Sequence, residues 1–542
     1  MAYDPNNDGD TPIPGTVHLV DLLGTMTGRH AESGQRDIVL VPSPSSDPDD
    51  PLNWSAPRKA LSTVCMCMYT LMVGIASAAI YSVLVPISEE TGISLTTLNQ
   101  GTGYMFLFFG WGCLVWQPLA LQYGKRPVYL FSMLATLATQ VWAAHTKTSG
   151  QWIASKIVQG FVGAPIESLC EISVTDTYFM HERGRYIALY GLLLAGSNFF
   201  APIIAGFIAD GQGWRWVLYW CAIFTAIGFV FIFFFMEETN FVRIHTGIVP
   251  ETSNISTPTK VIPGEKSPIK DAPLEVPITT DHPCRKTYLD KLKLFQKADL
   301  HKPMQLKGMV TRPLTFLTFP VIFYAGFSYG SNLIWFNVLN ATASLILNGT
   351  YGFSATIVGV CYVSPLMGVA VGAAYSGWLG DAFIMRKARK NNGIMESEHR
   401  LWLFVPSLLL IPFGLILWGV GSAHHTHWFG PVFAMGVIAM TNTVGLQLSV
   451  AYCIDSYRAL AGEAIITVII VRNTMSFAIG YGITPWVGDM GLQNCFITAA
   501  FVGLAQVCTV FFMIKYGKRL REMSVSRYNG YVNEMAKSGM VH

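Results

Sequence analysis

The sequence predicts an all-α polytopic membrane protein, with twelve transmembrane helices in two pseudo-symmetric six-helix bundles. Three observations carry this. Of 542 residues, 51% are hydrophobic and 13% are charged, with a mean hydropathy of +0.40, whereas a soluble domain is about a quarter charged. Apolar windows of the ~20 residues needed to cross a bilayer recur twelve times. One long polar stretch divides them into six and six.

In chain order, residues 1–57 are rich in Asp, Pro, Gly and Ser and read as a disordered cytosolic leader. They hold no apolar core for a cleaved signal peptide, so the first span is expected to direct insertion. The N-terminal bundle, 58–236, has spans at 60–84, 98–120, 127–146, 152–176, 186–208 and 217–236. A polar cytosolic linker with scattered prolines follows at 237–312. Within it Tyr288, Leu289, Leu292 and Phe295 recur at helical spacing among lysines, as in a basic amphipathic helix on the membrane surface or a soluble helix. The C-terminal bundle, 313–514, has spans at 316–339, 355–379, 401–421, 429–452, 463–486 and 492–514, and a cytosolic tail covers 515–542.

With both ends cytosolic, the short inner loops hold ten cations: Lys125, Arg126, Arg183, Arg185, Arg386, Lys387, Arg389, Lys390, Arg400 and Arg458. The outer loops hold Lys147 and Arg215. This asymmetry places the termini in the cytosol; the plasma membrane is the expected location and the vacuolar membrane the alternative, a choice the asymmetry does not make. The halves echo each other: Asp176-Thr177-Tyr178 closes the fourth span and Asp455-Ser456-Tyr457 the tenth.

Several classes fall away. Net charge is +3 and its cations sit in short loops, so no nucleic-acid surface is expected. No GxxxxGK[ST] occurs, so no nucleotide-binding loop of that type is expected. No nucleophile–base constellation marks an enzyme. The ten cysteines lack metal-ligand spacing and read as packing residues. His424, His425 and His427 cluster in an outer loop, as surface residues or as a metal or pH sensor. No metal and no cofactor is predicted.

The chemistry concentrates in the stretch from Lys156 to Arg185, which carries Glu167 and Glu171 inside an apolar span. Four residues apart on a helix, they share one face. A carboxylate in hydrocarbon is costly and normally faces water, a partner charge or a bound cation. Two neighbouring carboxylates repel when both are charged, which suits taking up and releasing a proton. The pair equally suits binding an organic cation, or joining a structural network with Lys or Arg. Arg472 in the eleventh span is a possible partner if the two helices meet. Lys156 either snorkels to the outer interface or works within the span. Asn198, Asn332, Asn337, Asn442 and Gln447 are mid-span amides able to bond a substrate or a neighbouring helix. Tyr324, Tyr329 and Trp335 can stack on a cation or pack. Asn340-Ala341-Thr342 and Asn348-Gly349-Thr350 are glycan acceptors on the outer side.

Further motifs are DPLNWS before the first span, QPLALQYGKRPVY after the second, KIVQG in the fourth and ERGR after it. APIIAG follows in the fifth, GWRWVLYW leads into the sixth and EETNF closes it, with GWLGDAFIMRKARKNNGIMESEHRL after the eighth. In these the chain resembles the major facilitator superfamily, and more closely its fungal twelve-span drug:proton antiporter branch, over residues 51–520. The last motif is similar to that of a fungal subgroup that includes a yeast transporter of histidinol, other cations and polyamines.

The resemblance implies a secondary transporter whose bundles rock about a central site, coupled to protons and working as a monomer on a small-molecule substrate in the lipid bilayer. Efflux of amphipathic or cationic compounds is favoured. Proton-driven uptake of polyamines or other organic cations is the alternative, and a membrane receptor that lost transport is a third reading. Glu167, Glu171, Arg472, Asn198, Asn442 and Gln447 become the coupling and substrate residues. Gating falls to Gly124, Lys125, Arg126, Asp176, Arg183, Gly377, Asp381, Arg386 and Asp455, and helix packing to Pro202 and Gly206 of the antiporter-like motif. Two departures stand out. Leu121 occupies the place of an acidic residue that the second half keeps as Asp381, and Lys156 replaces an arginine.

Overall fold

The computed structural model describes residues 13–18, 47–241, 290, 292–295, 306–391 and 394–537. Apolar stretches become long helices because, in hydrocarbon, backbone polar groups must be bonded within the segment. Ten helices among the described residues are long and apolar enough to cross a membrane, and a bent pair makes an eleventh.

Helix α1 (Ala56–Ala78) leads through a buried 3-10 turn to the short α2 (Leu84–Thr91), which ends at Gly92. Ser94 caps α3 (Leu95–Tyr123) by accepting from the Thr97 amide. Gly124, at φ 110°, turns the chain directly into α4 (Lys125–Ala144). The fourth span is broken: α5 (Ser149–Gly163) gives way to a 3-10 turn, Ala164–Glu167, before α6 (Leu169–Thr177). Pro165 has no amide hydrogen to continue the α-helical ladder. Helix α7 (Met180–Gln212) contains Pro202, and α8 (Trp214–Phe235) completes the first half.

In the second half, α9 (Leu306–Phe316) meets α10 (Pro320–Gly349) at a bend of 79°. The next span is α11 (Ala355–Cys361), α12 (Val363–Ala374), a π turn at Tyr375–Leu379 and α13 (Gly380–Lys390). A 3-10 segment, Ser397–Phe404, precedes α14 (Ser407–Ala423), then α15 (Phe429–Ser456). Helix α16 (Ala461–Lys537) has helical geometry on both sides of Gly491, whose φ of 72° marks the join of two helices.

The structure revises several expectations. The leader was expected to be disordered, yet β1 (Thr16–His18) pairs antiparallel with β2 (Ile394–Glu396). The seventh span runs ten residues past 339, to Gly349. The tail is helical to Lys537, and its Arg521 is buried. Of the linker's amphipathic pattern, Tyr288 and Leu289 lie outside the described residues, and 292–295 is turn and bend rather than helix.

Small residues bring the halves together. A Cβ on Gly110 of α3 would lie 2.8 Å from the Asn473 Cβ of α16. One on Gly359 of α11 would lie 2.6 Å from the Pro202 carbonyl of α7, and Gly206 abuts the Ala355 carbonyl still more closely. Pro202 and Gly206 thus sit where α7 and α11 touch, as small residues at close crossings do.

Candidate functional site

Glu167 ends the 3-10 turn in the fourth span, and its carboxylate forms an ion pair with the Arg472 guanidinium of α16. Arg472 is 5% exposed and donates also to the Tyr329 hydroxyl of α10 at 2.5 Å. Its guanidinium lies over the Tyr329 ring, 4.5 Å from the centroid. The helices that had to meet for this pair do meet. Glu171 belongs to α6, beyond the break at Ser168, so the two carboxylates do not share one unbroken helical face. Half-buried, Glu171 forms no ion pair among the described residues and lies within electrostatic reach of the Tyr190 and Tyr329 hydroxyls. One carboxylate is therefore neutralised and its neighbour is not.

Lys156 does not snorkel. It is fully buried, donates to Gln159 Oε1 at 2.9 Å and sits over the Trp152 ring at 4.9 Å. Gln159 in turn donates to the Ala76 carbonyl at 3.1 Å. Among the amides, Asn198 bonds its own helix at the Leu194 carbonyl, 2.9 Å away, and Asn332 does the same at Ser328, 2.8 Å away. Gln447 accepts from the Ser376 hydroxyl of the π turn, and Asn442 Oδ1 is buried without a partner among the described residues. Asn337 has neither amide atom bonded among the described residues.

At the end carrying the termini, ion pairs join helices of the same half. Lys125 pairs with Asp176, and Arg400 with Asp455 at 2.5 Å. The two echoed motifs thus do equivalent work, each aspartate holding a cation from a neighbouring helical segment of its own half. Tyr178 bonds Thr63 at 2.6 Å and Tyr457 bonds Ser524 at 2.6 Å. The acid missing at Leu121 is supplied from elsewhere. Glu238 accepts from the amides of Lys125 at 3.0 Å and Arg126 at 2.9 Å, the N-terminus of α4, where a carboxylate meets the positive end of the dipole. Arg126 also donates to the Phe233 carbonyl at 2.8 Å and to the linker carbonyl of Leu292.

Asp381 and Arg386 are exposed on α13 and form no ion pair among the described residues, so the gate pairing expected of Asp381 is not made here. Gly377 lies in the π turn, and the Arg183 side chain falls outside the described residues. The acids engaged at this end of the second half include Asp455, Glu396, Glu463 and Glu398, the last holding the buried Arg521 at 2.9 and 2.5 Å. Arg521 donates also to the Pro14 carbonyl, tying the leader strand to α16.

From the midplane to the opposite end, bonds cross between halves. Trp111 donates to Thr474 at 3.2 Å, and Asn99 donates to Thr484 at 2.9 Å. Asp210 accepts from the Thr356 amide at 3.0 Å, at the start of α11. Of the glycan acceptors, Asn348 is half-buried and donates to the Phe353 carbonyl at 3.0 Å. Asn340 is 1% exposed inside α10 and accepts from the Tyr362 hydroxyl at 3.1 Å, which removes it as a glycan site. His424, His425 and His427 are exposed.

Sequence reasoning passed over Glu238, Asp210, Asn99 and Arg521. Glu238 lay within a quoted motif, EETNF, but its targets lie 113 and 112 residues away in the chain, a separation that carries no local signal of pairing. An isolated carboxylate at the end of a span, as at Asp210, was a legible cue.

A sequence profile of the Major Facilitator Superfamily matches residues 66–485. An uncharacterised MFS-type transporter of Schizosaccharomyces pombe is 30% identical over 96% of this chain and 94% of its own length. Protein HOL1 of Saccharomyces cerevisiae is 26% identical over 97% and 98%, and the multidrug transporter TPO1_2 of Candida glabrata 24% over 89% and 79%. In fold, the chain is similar to the crystal structure of a D-xylose–proton symporter, with a TM-score of 0.54 and 13% identity over 83% of this chain and 97% of that one.

Proposed function

Because the chain belongs to the Major Facilitator Superfamily, we propose that it is a proton-coupled transporter exporting a small amphipathic or cationic organic compound. It is a fungal-type transporter and not an enzyme, and a multi-pass integral membrane protein. Reading α16 as two crossings either side of Gly491, and the α9–α10 pair as one, gives twelve spans in two bundles. The excess of loop cations at the terminal end supports cytosolic termini, and plasma membrane is the proposed location.

One observation carries the reading: Arg472 neutralises Glu167, while Glu171, four residues on, has no ionic partner among the described residues. A carboxylate at this depth demands a counter-charge. A proton and an organic cation satisfy that demand equally and exclude one another, which is the requirement for exchange. Glu167, Arg472 and Tyr329 join the fourth, seventh and eleventh spans at the seam. When the seam parts this network must be remade, so occupancy of Glu171 beside it biases which side opens. The bonds at Asn99 and Asp210 hold the outer end closed, and Gly206 and Pro202 permit that contact. A relative named a multidrug transporter supports export of such compounds.

The test is accumulation of tetraphenylphosphonium by cells expressing wild type or Glu171→Gln at external pH 5 and 7. Export predicts lower accumulation at pH 5 with wild type only. Equal accumulation in both, with the protein shown at the cell surface, overturns it. The unpaired Glu171 also favours the second reading, uptake of polyamines or other organic cations driven by protons. That reading requires acid-stimulated uptake of labelled spermidine that Glu171→Gln abolishes.

A further inference from the structure

Where α3, α10 and α16 meet, a cavity of about 10 Å³ is lined by Asn99, Asn337, Asn340 and Ser476. That volume admits one water and no more. Its walls are nonetheless polar and incompletely bonded. Asn337 is 7% exposed and neither its Oδ1 nor its Nδ2 has a partner among the described residues. Asn340 is 1% exposed, and although its Oδ1 accepts from Tyr362, its Nδ2 has no acceptor there. Buried amides left unbonded are costly, and packing alone would be served better by leucine.

The cavity is also well placed. Ser476 stands one turn beyond Arg472 on α16 and donates to its carbonyl at 3.0 Å. Asn99 is on α3 of the first half, whereas Asn337 and Asn340 are on α10 of the second. The cavity therefore lies on the seam between the halves, a turn from Arg472 along α16.

We propose that Asn337 and Asn340 form a second substrate subsite, which takes an uncharged hydroxyl or carboxamide group while the substrate's cationic group sits at Glu171; this rests on the transporter reading above. The unbonded atoms choose the chemistry. They comprise one acceptor, Asn337 Oδ1, and two amide donors, the Nδ2 atoms of Asn337 and Asn340. An ammonium has only donors and would leave both Nδ2 groups unbonded. A hydroxyl donates once and accepts twice, and a carboxamide also does both. The substrate class is thus an organic cation with a neutral polar group at its other end.

The experiment is thermal unfolding of the purified full-length protein in detergent, titrated with 6-aminohexan-1-ol or with hexylamine. Wild type should bind the amino alcohol about tenfold more tightly, the net worth of about one hydrogen bond. Asn337→Leu should bring both amines to the affinity of hexylamine, and Glu171→Gln should remove stabilisation by both. Should Asn337→Leu not fold, Asn337→Ser serves, with the preference reduced. Equal affinities in wild type, both lost in Glu171→Gln, would overturn the subsite and leave the cation site standing. Preference for the amino alcohol that survives substitution of Asn337 would also overturn it. Binding of neither amine contradicts the cation site, and the subsite falls with it.

Discussion

Arg472 reaches across the seam between the two halves to form an ion pair with Glu167, and its second donor goes to the Tyr329 hydroxyl. Both partners are largely buried. Removing one leaves an uncompensated charge at a cost of about 3–5 kcal/mol, whereas replacing both by apolar residues is often neutral. Arg472→Met should therefore lower the unfolding temperature sharply, and Glu167→Leu added to it should restore much of the loss. Transport should remain absent in the double variant. A single variant as stable as wild type would contradict the pairing.

Lys156 predicts the opposite. It is buried with a neutral amide and a ring as partners, and no carboxylate pairs with it among the described residues. Lys156→Met should leave stability unchanged or raise it by about 1–4 kcal/mol, by the same comparison of buried charge with apolar isostere. Unfolding temperatures of the two methionine variants, measured side by side, check the contrast.

Glu238 holds the start of α4 in place of the acid absent at Leu121. Glu238→Ala should cost about 1–2 kcal/mol, the worth of a helix cap with dipole complementarity. Gly124→Ala should cost more than its own propensity change. Its φ is 110° and its added Cβ would lie 2.6 Å from Glu238 Oε2. Thermal unfolding of both variants reads this directly.

Gly206 packs against the Ala355 carbonyl at the end away from β1, which is the outer end on the proposed orientation. Gly206→Val should force α7 from α11, weaken the Asp210–Thr356 bond and favour the outward-open state. Labelling of a cysteine placed at Asn99 by an impermeant maleimide should then quicken relative to the same cysteine in the wild-type background. Unchanged labelling would contradict the closure assigned to this contact.

Much of this was legible in the sequence, and the exceptions have physical reasons. Hydropathy located the helices because a bilayer demands apolar length. Glu167 and Glu171 were legible because charge in hydrocarbon needs a purpose. Their relation was not: the helix breaks between them at Ser168, and Arg472, the partner of Glu167, lies 305 residues away in the chain. The seventh window closed early because Asn340-Ala341-Thr342 looks polar, yet α10 continues with Asn340 facing Tyr362. Asp381 drew attention by its motif, while the structure gives the ionic work at that end to other acids, Asp455, Glu396, Glu398 and Glu463 among them. Each miss is a contact between distant segments, which local pattern does not encode.

The most direct measurement is proton movement in proteoliposomes with a trapped pH dye, upon addition of tetraphenylphosphonium, for wild type and Glu171→Gln. The account predicts a proton flux opposite to the cation in wild type and none in the variant. Proton flux of wild-type size in Glu171→Gln would remove Glu171 from the coupling path and contradict the central claim.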